Sequence, residues 1–455
     1  MKKVIIGLFA ILLAISFCAC TGNPADTSKD ESATPDTSVE ESKGGEESTE
    51  EPTAVAYGFE GEKELAETGV VNDVAPETVE ETYTGNFGFI LVGDETEGYT
   101  KAHMDGIKKA AEELGISPDR LKWRYSVPET DAVQTAANQL IADGCEYIFS
   151  NSYGHQDYML LSAQKNPNVK FVACTGDSAA KAGLKNFSNA FTAVYESRYI
   201  SGVVAGLKLR ELIDDGKVDG TATVKIGYVG AYNYAEVVSG YTAFFLGVKS
   251  VVENIEMDVY YTSSWFDFDK EKAAAELLME RGCVIIGQHA DSAGAPTAVQ
   301  AALKAGKVAY SVGYNVSMLD VAPDAALTSA SNNWGVYYKY ALAQGLQGKE
   351  IATNWCGGYE VEGVAITELG ESCADGTEEK VNELIDKIVK GEFHVFDTSK
   401  FTVGGKSVAW AFASDTNGDW TNDADNVIAD GYFHESFVQS APAFYLRIDG
   451  ITELN

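Results

Sequence analysis

The chain has 455 residues, of which 68 are acidic and 34 basic, for a formal net charge of −34. That imbalance excludes nucleic acid as a partner, because neutralising phosphates needs clusters of Lys and Arg that are absent here. It also disfavours a strongly anionic ligand unless basic groups are focused locally, and the chain is long enough to build two domains with their own cores.

The N-terminus comes first. Lys2 and Lys3 precede an apolar run from Val4 to Ile15, too short to span a bilayer, and residues 1–20 read as a signal peptide. The end of that segment, Ser16-Phe17-Cys18-Ala19-Cys20-Thr21, resembles a bacterial lipobox, which implies acylation of Cys20 as the mature N-terminus. Cys18 is a second acylation candidate, and cleavage without a lipid is the alternative. Residues 21–84 turn to Ser, Thr, Glu, Asp, Pro and Gly, with acidic pairs such as Glu40-Glu41 and Glu50-Glu51. Such a composition buries too little apolar surface to offset its ordering entropy, so a disordered acidic tether is expected there. No later run has the uncharged length of a membrane helix.

From about residue 85, strand-like runs alternate with amphipathic helices. Phe87 to Val92 reads as a buried strand, followed by a helix near Lys101 to Leu114 with Ile107, Ala110, Ala111 and Leu114 on one face and Gly115 to stop it. The unit recurs: a helical face at Val133, Ala136, Ala137 and Leu140, then strands at Tyr147–Phe149 and Lys170–Ala173. A helix at Arg198–Leu209 precedes a strand at Lys225–Val229. Tyr241–Val248, Asp258–Tyr261, Ala274–Leu278, Val284–Ile286, Ala298–Ala305 and Val308–Val312 continue the alternation. This pattern predicts an α/β fold of two lobes, each a parallel sheet flanked by helices. The boundaries expected are 85–195 for lobe 1, with 322–348 returning to it, and 196–321 for lobe 2. Residues 349–455 are expected to span or extend the lobes. Cys145, Cys174 and Cys283 read as small buried hydrophobes, while Cys356 and Cys373 lie in a polar stretch where they could pair.

In such sheets ligands bind beyond the carboxyl ends of the strands. Those ends hold Tyr99, His103, Tyr153, Gly154, Asp177, Trp265, Asp267, His289, Asp291, Asn315, Asn332 and Trp334, the candidate ligand-binding residues. Rings that stack, beside amides, carboxylates and imidazoles, suit a flat heteroaromatic ligand. Each has a plainer reading too: Tyr99, Tyr153 and Trp334 as core or rim packing, His289 and Asp291 as a helix-start pair, Asn315 as a turn residue at positive φ.

At these residues the chain resembles the basic-membrane-protein family of ABC-transporter substrate-binding lipoproteins, which includes purine-nucleoside receptors. The resemblance runs from about Asn86 to Tyr340 and rests on Gly98-Tyr99 with Gly106, Asn166-Pro167-Asn168, Tyr195-Glu196-Ser197-Arg198-Tyr199 with Gly202, and Leu327-Thr328-Ser329. It implies a two-lobed, periplasmic-binding-protein-like fold of type I, with the ligand cleft between the lobes. It further implies no enzyme activity, no cofactor, a monomer partnered by ABC-transporter permease subunits, and a lipid anchor on the outer face of a bacterial, Gram-positive cell membrane. Nucleoside receptors of this family hold ribose through an Asp and a Lys; Asn315 and Asn332 stand near those places here. A purine nucleobase is therefore the expected ligand, and an intact nucleoside the alternative.

Two rivals remain open on the sequence. His103, His155 and His289 at strand ends could form a metal site, and Asp177 with Asp291 could serve a nucleoside-cleaving hydrolase. Catalytic and nucleotide-binding motifs of the usual kinds are absent. Asp415 to Thr421 resembles the start of a calcium loop, but Trp420 replaces the required Gly and Asn426 the bidentate Glu, so a polar turn is the better reading.

Overall fold

The computed structural model describes residues 64–412 and 426–455. The signal segment, Cys20 and the Asp415–Thr421 turn lie outside the described residues.

The first lobe grows from β1 (Asn86–Ile90), whose Phe87, Phe89 and Ile90 are fully buried. Helix α1 (Gly98–Glu113) starts earlier than its apolar periodicity indicates. The Glu97 carboxylate caps it, accepting the N–H of Tyr99 at 2.7 Å and of Thr100 at 2.8 Å. It ends where Gly115 takes a φ of 70° and the Ile116 N–H returns to the Ala111 carbonyl at 2.8 Å. β2 (Leu121–Arg124), α2 (Ala132–Ala142), β3 (Cys145–Ser150), α3 (Gln156–Lys165), β4 (Lys170–Cys174), the short α4 (Ala179–Ala182) and β5 (Phe187–Thr192) complete the unit. Its strands are parallel, in the order β2-β1-β3-β4-β5.

The chain crosses at Ala193 into α5 (Val194–Asp214) and the second lobe: β6 (Val224–Gly230), α6 (Ala235–Lys249), β7 (Ile255–Tyr261), α7 (Phe268–Glu280), β8 (Ile285–Gln288), α8 (Gly294–Lys304), β9 (Tyr310–Tyr314) and β10 (Ala326–Asn332). These strands are also parallel, ordered β7-β6-β8-β9-β10. Helices α5 and α6 touch backbone to backbone: a Cβ on Gly202 would stand 2.2 Å from the Phe244 carbonyl oxygen.

The second crossing, at Asn333, leads to α9 (Trp334–Leu346), packed on α1. The return to lobe 1 thus begins at 333, not at the expected 322, because the buried run Ala326–Asn332 first pairs with β9. β11 (Asn354–Gly357) then joins the first sheet beside β5, and the chain crosses a third time over residues 358–363 to β12 (Val364–Ile366), antiparallel to β10. Helix α10 (Thr377–Val389) packs on α5, β13 (Ile428–Ala429) and β14 (Tyr432–Phe433) form a hairpin, and β15 (Ile451–Glu453) extends the second sheet beyond β7. The segment from 349 onward therefore contributes to both sheets, and Phe396, Phe433, Phe444 and Leu446 sit in the core of lobe 2.

The tether expected up to residue 84 is shorter. Residues 64–69 pair with the C-terminal segment at Asn426 and Phe437, and residues 71–84 lie along lobe 1 and cover the outer edge of β11: Val71 donates to the Asn354 carbonyl at 3.1 Å and accepts from Cys356 N–H at 2.9 Å, and Trp355 Nε1 donates to the Asp73 carbonyl at 2.8 Å. Val79 and Tyr83, hidden in an acidic average, dock on the lobe 1 core. Cys145, Cys174 and Cys283 are buried free thiols; Cys356 and Cys373 are free as well. No helix among the described residues is long and apolar enough to cross a membrane.

Candidate functional site

In each sheet the strand order reverses direction once, between β1 and β3 in lobe 1 and between β6 and β8 in lobe 2. A crevice opens at such a point because the loops leaving its two strands diverge to opposite faces. Here the two crevices share one cavity of about 370 Å³. Lobe 1 supplies Asp94, Glu97 and Tyr99 after β1, Asn151, Ser152 and Tyr153 after β3, and Thr175 after β4. Lobe 2 supplies Tyr232 and Glu236 after β6, Ser264, Trp265 and Phe266 after β7, His289 and Asp291 after β8, and Tyr314 from β9.

Of the candidates, Tyr99, Tyr153, Trp265, His289 and Asp291 line this cavity. The others stand behind it. Asn315 holds a φ of 62° and donates from Nδ2 to Asp291 Oδ1 at 2.8 Å; Asn332 Nδ2 donates in turn to Asn315 Oδ1 at 2.8 Å. The Thr192 hydroxyl, at the last residue before the first crossing, donates to Asn332 Oδ1. A hydrogen-bond chain therefore runs from the crossing to Asp291, and both asparagines, expected to read the ligand, lie behind the cavity and hold the Asp291 carboxyl that lines it. Asp177 likewise accepts the Tyr153 hydroxyl at 2.9 Å. Gly154 faces Glu129, where an added Cβ would meet the carboxyl carbon at 2.5 Å.

His103 and Trp334 are core residues. The imidazole stacks on the indole at 4.0 Å and bonds the Tyr338 hydroxyl through Nδ1 at 2.8 Å; both rings back Tyr99, which reaches forward to the Thr175 hydroxyl at 2.8 Å. Asp267 caps α7, accepting the Lys270 N–H at 3.0 Å. His155 is buried with Nε2 2.9 Å from the Val127 carbonyl. The three histidines considered for a metal thus lie in separate places, and the described residues hold no group of three or more His, Cys, Asp or Glu arranged to bind one.

The floor of the cavity is acidic. Glu236 Oε1 lies 3.3 Å from His289 Nε2, and Arg198, buried beneath, stacks over the Tyr314 ring at 3.6 Å and donates to the Gln288 carbonyl at 2.5 Å. Burial pushes Glu236 up to about 7 against the pull of Arg198. Burial, then the carboxyls of Glu97, Glu271 and Glu236, raises Asp291 well above the usual carboxylate range. Burial and Arg198 hold His289 well below its ordinary value, so this imidazole is neutral. Glu97 is raised by burial. Carboxyls held above their usual range and a neutral imidazole offer donors and acceptors to a polar edge, while the aromatic rings offer faces. Across the mouth, Tyr153 of lobe 1 meets Tyr234 of lobe 2 at 5.6 Å, and Tyr234 stacks on Tyr232 at 5.3 Å.

Tyr232, Tyr314, Asn151 and Thr175 stand at strand ends but carry no sequence signal beyond that. Glu236 was missed altogether, since an acidic residue in the first turn of a helix ordinarily serves the helix dipole.

Residues 91–399 match the family model described as ABC transporter substrate-binding protein, PnrA-like. A purine-binding protein of Brucella abortus is 31% identical over 68% of this chain and 82% of its own length. A Haloferax volcanii protein named as a candidate glucose-binding protein of an ABC transporter is 28% identical over 67% of this chain and 72% of its own. Among solved structures, an ABC-transporter solute-binding protein from Aeropyrum pernix superposes with a TM-score of 0.57 at 17% identity, covering 69% of this chain and 93% of that one.

Proposed function

The chain belongs to the PnrA-like, basic-membrane-protein family of ABC-transporter substrate-binding proteins, and on that premise we propose that its cleft captures a purine nucleobase. The family works at the outer face of the membrane with a transporter's permease subunits, and Cys20 is read as the lipid attachment that keeps this member there.

The observation that carries the ligand assignment is the pairing of ring faces with an orientated carboxyl. Tyr99, Tyr153, Trp265 and Phe266 wall the cavity, and Asp291, whose Oδ1 is held by Asn315, lines it beside them. Its carboxyl, with Glu236 and neutral His289, meets the nitrogen and amino edge of a base while the rings cover its faces. Asn315 and Asn332 are spent on each other and on Asp291, which leaves neither to hold ribose hydroxyls. Binding joins the lobes and release parts them, with no covalent step.

The nucleoside reading keeps one support: Asp94 and Glu97 line the lobe 1 side of the cavity, where carboxylates could accept ribose hydroxyls. Mass spectrometry of the ligand that co-purifies, followed by thermal-shift titration with adenine, guanine, xanthine and adenosine, separates the two. A shift with adenosine alone assigns the nucleoside. No shift with any purine removes the ligand class.

A further inference from the structure

The residues lining the cavity between the lobes include four carboxyls, Asp94 and Glu97 from lobe 1 and Glu236 and Asp291 from lobe 2, and no Lys or Arg. The lobes meet at this place: a Cβ on Gly98, beside Glu97, would lie 3.3 Å from the Asp291 carbonyl oxygen. Closure therefore carries acidic groups of one lobe against those of the other and away from water. Carboxyls that share a dry site cannot all stay ionised, because without a cation nothing offsets their desolvation and mutual repulsion.

The surroundings supply little compensation. Arg198 lies beneath the floor, its guanidinium over the Tyr314 ring and its Nη1 on the Gln288 carbonyl. Behind Asp291, Glu271 adds a further carboxyl, bonded to the N–H groups of Asp267 and Ser292. His289 is neutral, and burial keeps the phenols of Tyr99, Tyr153 and Tyr314 protonated. Thr96 holds Asp94 below the usual carboxylate range, so it stays ionised.

Hydrogen bonding separates the remaining three carboxyls. Glu97 caps α1, both its oxygens accepting N–H groups of the first turn, which favours its charge. Glu236 feels Arg198 below it. Asp291 has one bond, from Asn315 to Oδ1, and Oδ2 takes none from the described residues. It is the anion with least support, and burial, then the charge of Glu97, raises it.

We propose that the cleft takes up a proton from solvent together with its ligand, held on Asp291, where closure sets this carboxyl against Glu97 of the opposite lobe. Proton uptake rests on the cleft being the ligand site and holds for any uncharged ligand. With the lobes apart, Asp291 regains water, loses Glu97 and titrates as an ordinary carboxyl. The closed form then binds more protons than the open one. Affinity is therefore complete below the ordinary carboxylate value and falls as the pH rises toward the closed-state value.

The test is calorimetric titration of ligand-stripped protein with adenine and adenosine, both uncharged near neutrality, at about pH 7 in phosphate and in Tris, whose ionisation heats differ. The heats should differ between buffers by the equivalent of about one proton taken up per ligand, and Kd should rise at least about tenfold from about pH 6 to about pH 8. Asp291→Asn should abolish the uptake whatever it does to affinity, and Glu97→Gln should reduce it; a merely structural role would leave the proton count unmoved. Heat from neither compound removes the purine reading but not proton uptake. The protein as purified is then dialysed at about pH 6 and about pH 8, and mass spectrometry should find its co-purified molecule retained at the lower pH and lost at the higher. Equal heats in the two buffers, a constant Kd, uptake that survives Asp291→Asn, or equal retention overturns the proposal.

Discussion

Asp291 illustrates how a single carboxyl is prepared by residues that never touch the cavity. Thr192 orients Asn332, Asn332 orients Asn315, and Asn315 fixes one oxygen of Asp291, leaving the other unbound by these residues. Replacing Asp291 by Asn keeps the shape, but with its oxygen held by Asn315 the amide turns only a donor toward the cleft, where the carboxyl can also accept. Affinity for the cleft ligand should fall at least about tenfold, read by titration, with the melting temperature of the unliganded protein little changed. Glu236 answers a different question. Burial holds it at about 7, against an ordinary 4.5, so the folded chain keeps a proton that the unfolded chain has already lost. Its stabilising contribution is complete below the unfolded value and gone once the pH passes the folded one. Glu236→Gln should therefore lose less melting temperature than the wild type between about pH 5 and about pH 8, a difference of up to about 3 kcal/mol. An unchanged pH profile would show that this carboxyl titrates normally.

Among the elements, those read correctly from the sequence are the ones whose burial and periodicity agree. β1 and α1 are legible because Phe87, Phe89 and Ile90, then Ile107, Ala110 and Ala111, all face the core. β2 and β5 were not legible. β2 is four residues long and alternates with Lys122 and Arg124, while β5 buries Ser188, Asn189 and Thr192 and satisfies them locally, as where Asn189 Oδ1 accepts the Ala179 N–H at 2.7 Å. The cavity shows the same division. Strand ends lead to the loops that line it, but which side chain faces the cavity and which stands behind it depends on contacts across elements, so Asn315, Asn332 and Trp334 read as candidates and Glu236 did not. A backbone contact between elements is also testable. Gly202→Ala would press a methyl group into the Phe244 carbonyl of α6, forcing the two helices apart. Lobe 2 should lose about 1–3 kcal/mol by denaturant unfolding. A cost within error would mean that α5 and α6 have room to slide.

On the scale of the whole molecule, three crossings join the lobes, and the proposed closure on the ligand requires their facing surfaces to fit. Gly98 sits at that contact: a Cβ there would lie 3.3 Å from the Asp291 carbonyl oxygen and from Val316 Cγ2, both in lobe 2. Gly98→Val should hold the lobes ajar and raise the radius of gyration of the ligand-saturated protein in X-ray scattering, while leaving the unliganded value unchanged. Identical scattering of the two liganded proteins would place closure elsewhere. The measurement that bears most directly on the central claim is calorimetric titration of ligand-stripped protein with adenine and adenosine side by side. Adenine should bind one per chain and more tightly than adenosine, since the asparagines near the ribose positions are already committed to Asp291. Tighter binding of adenosine, or heat from neither, would contradict it.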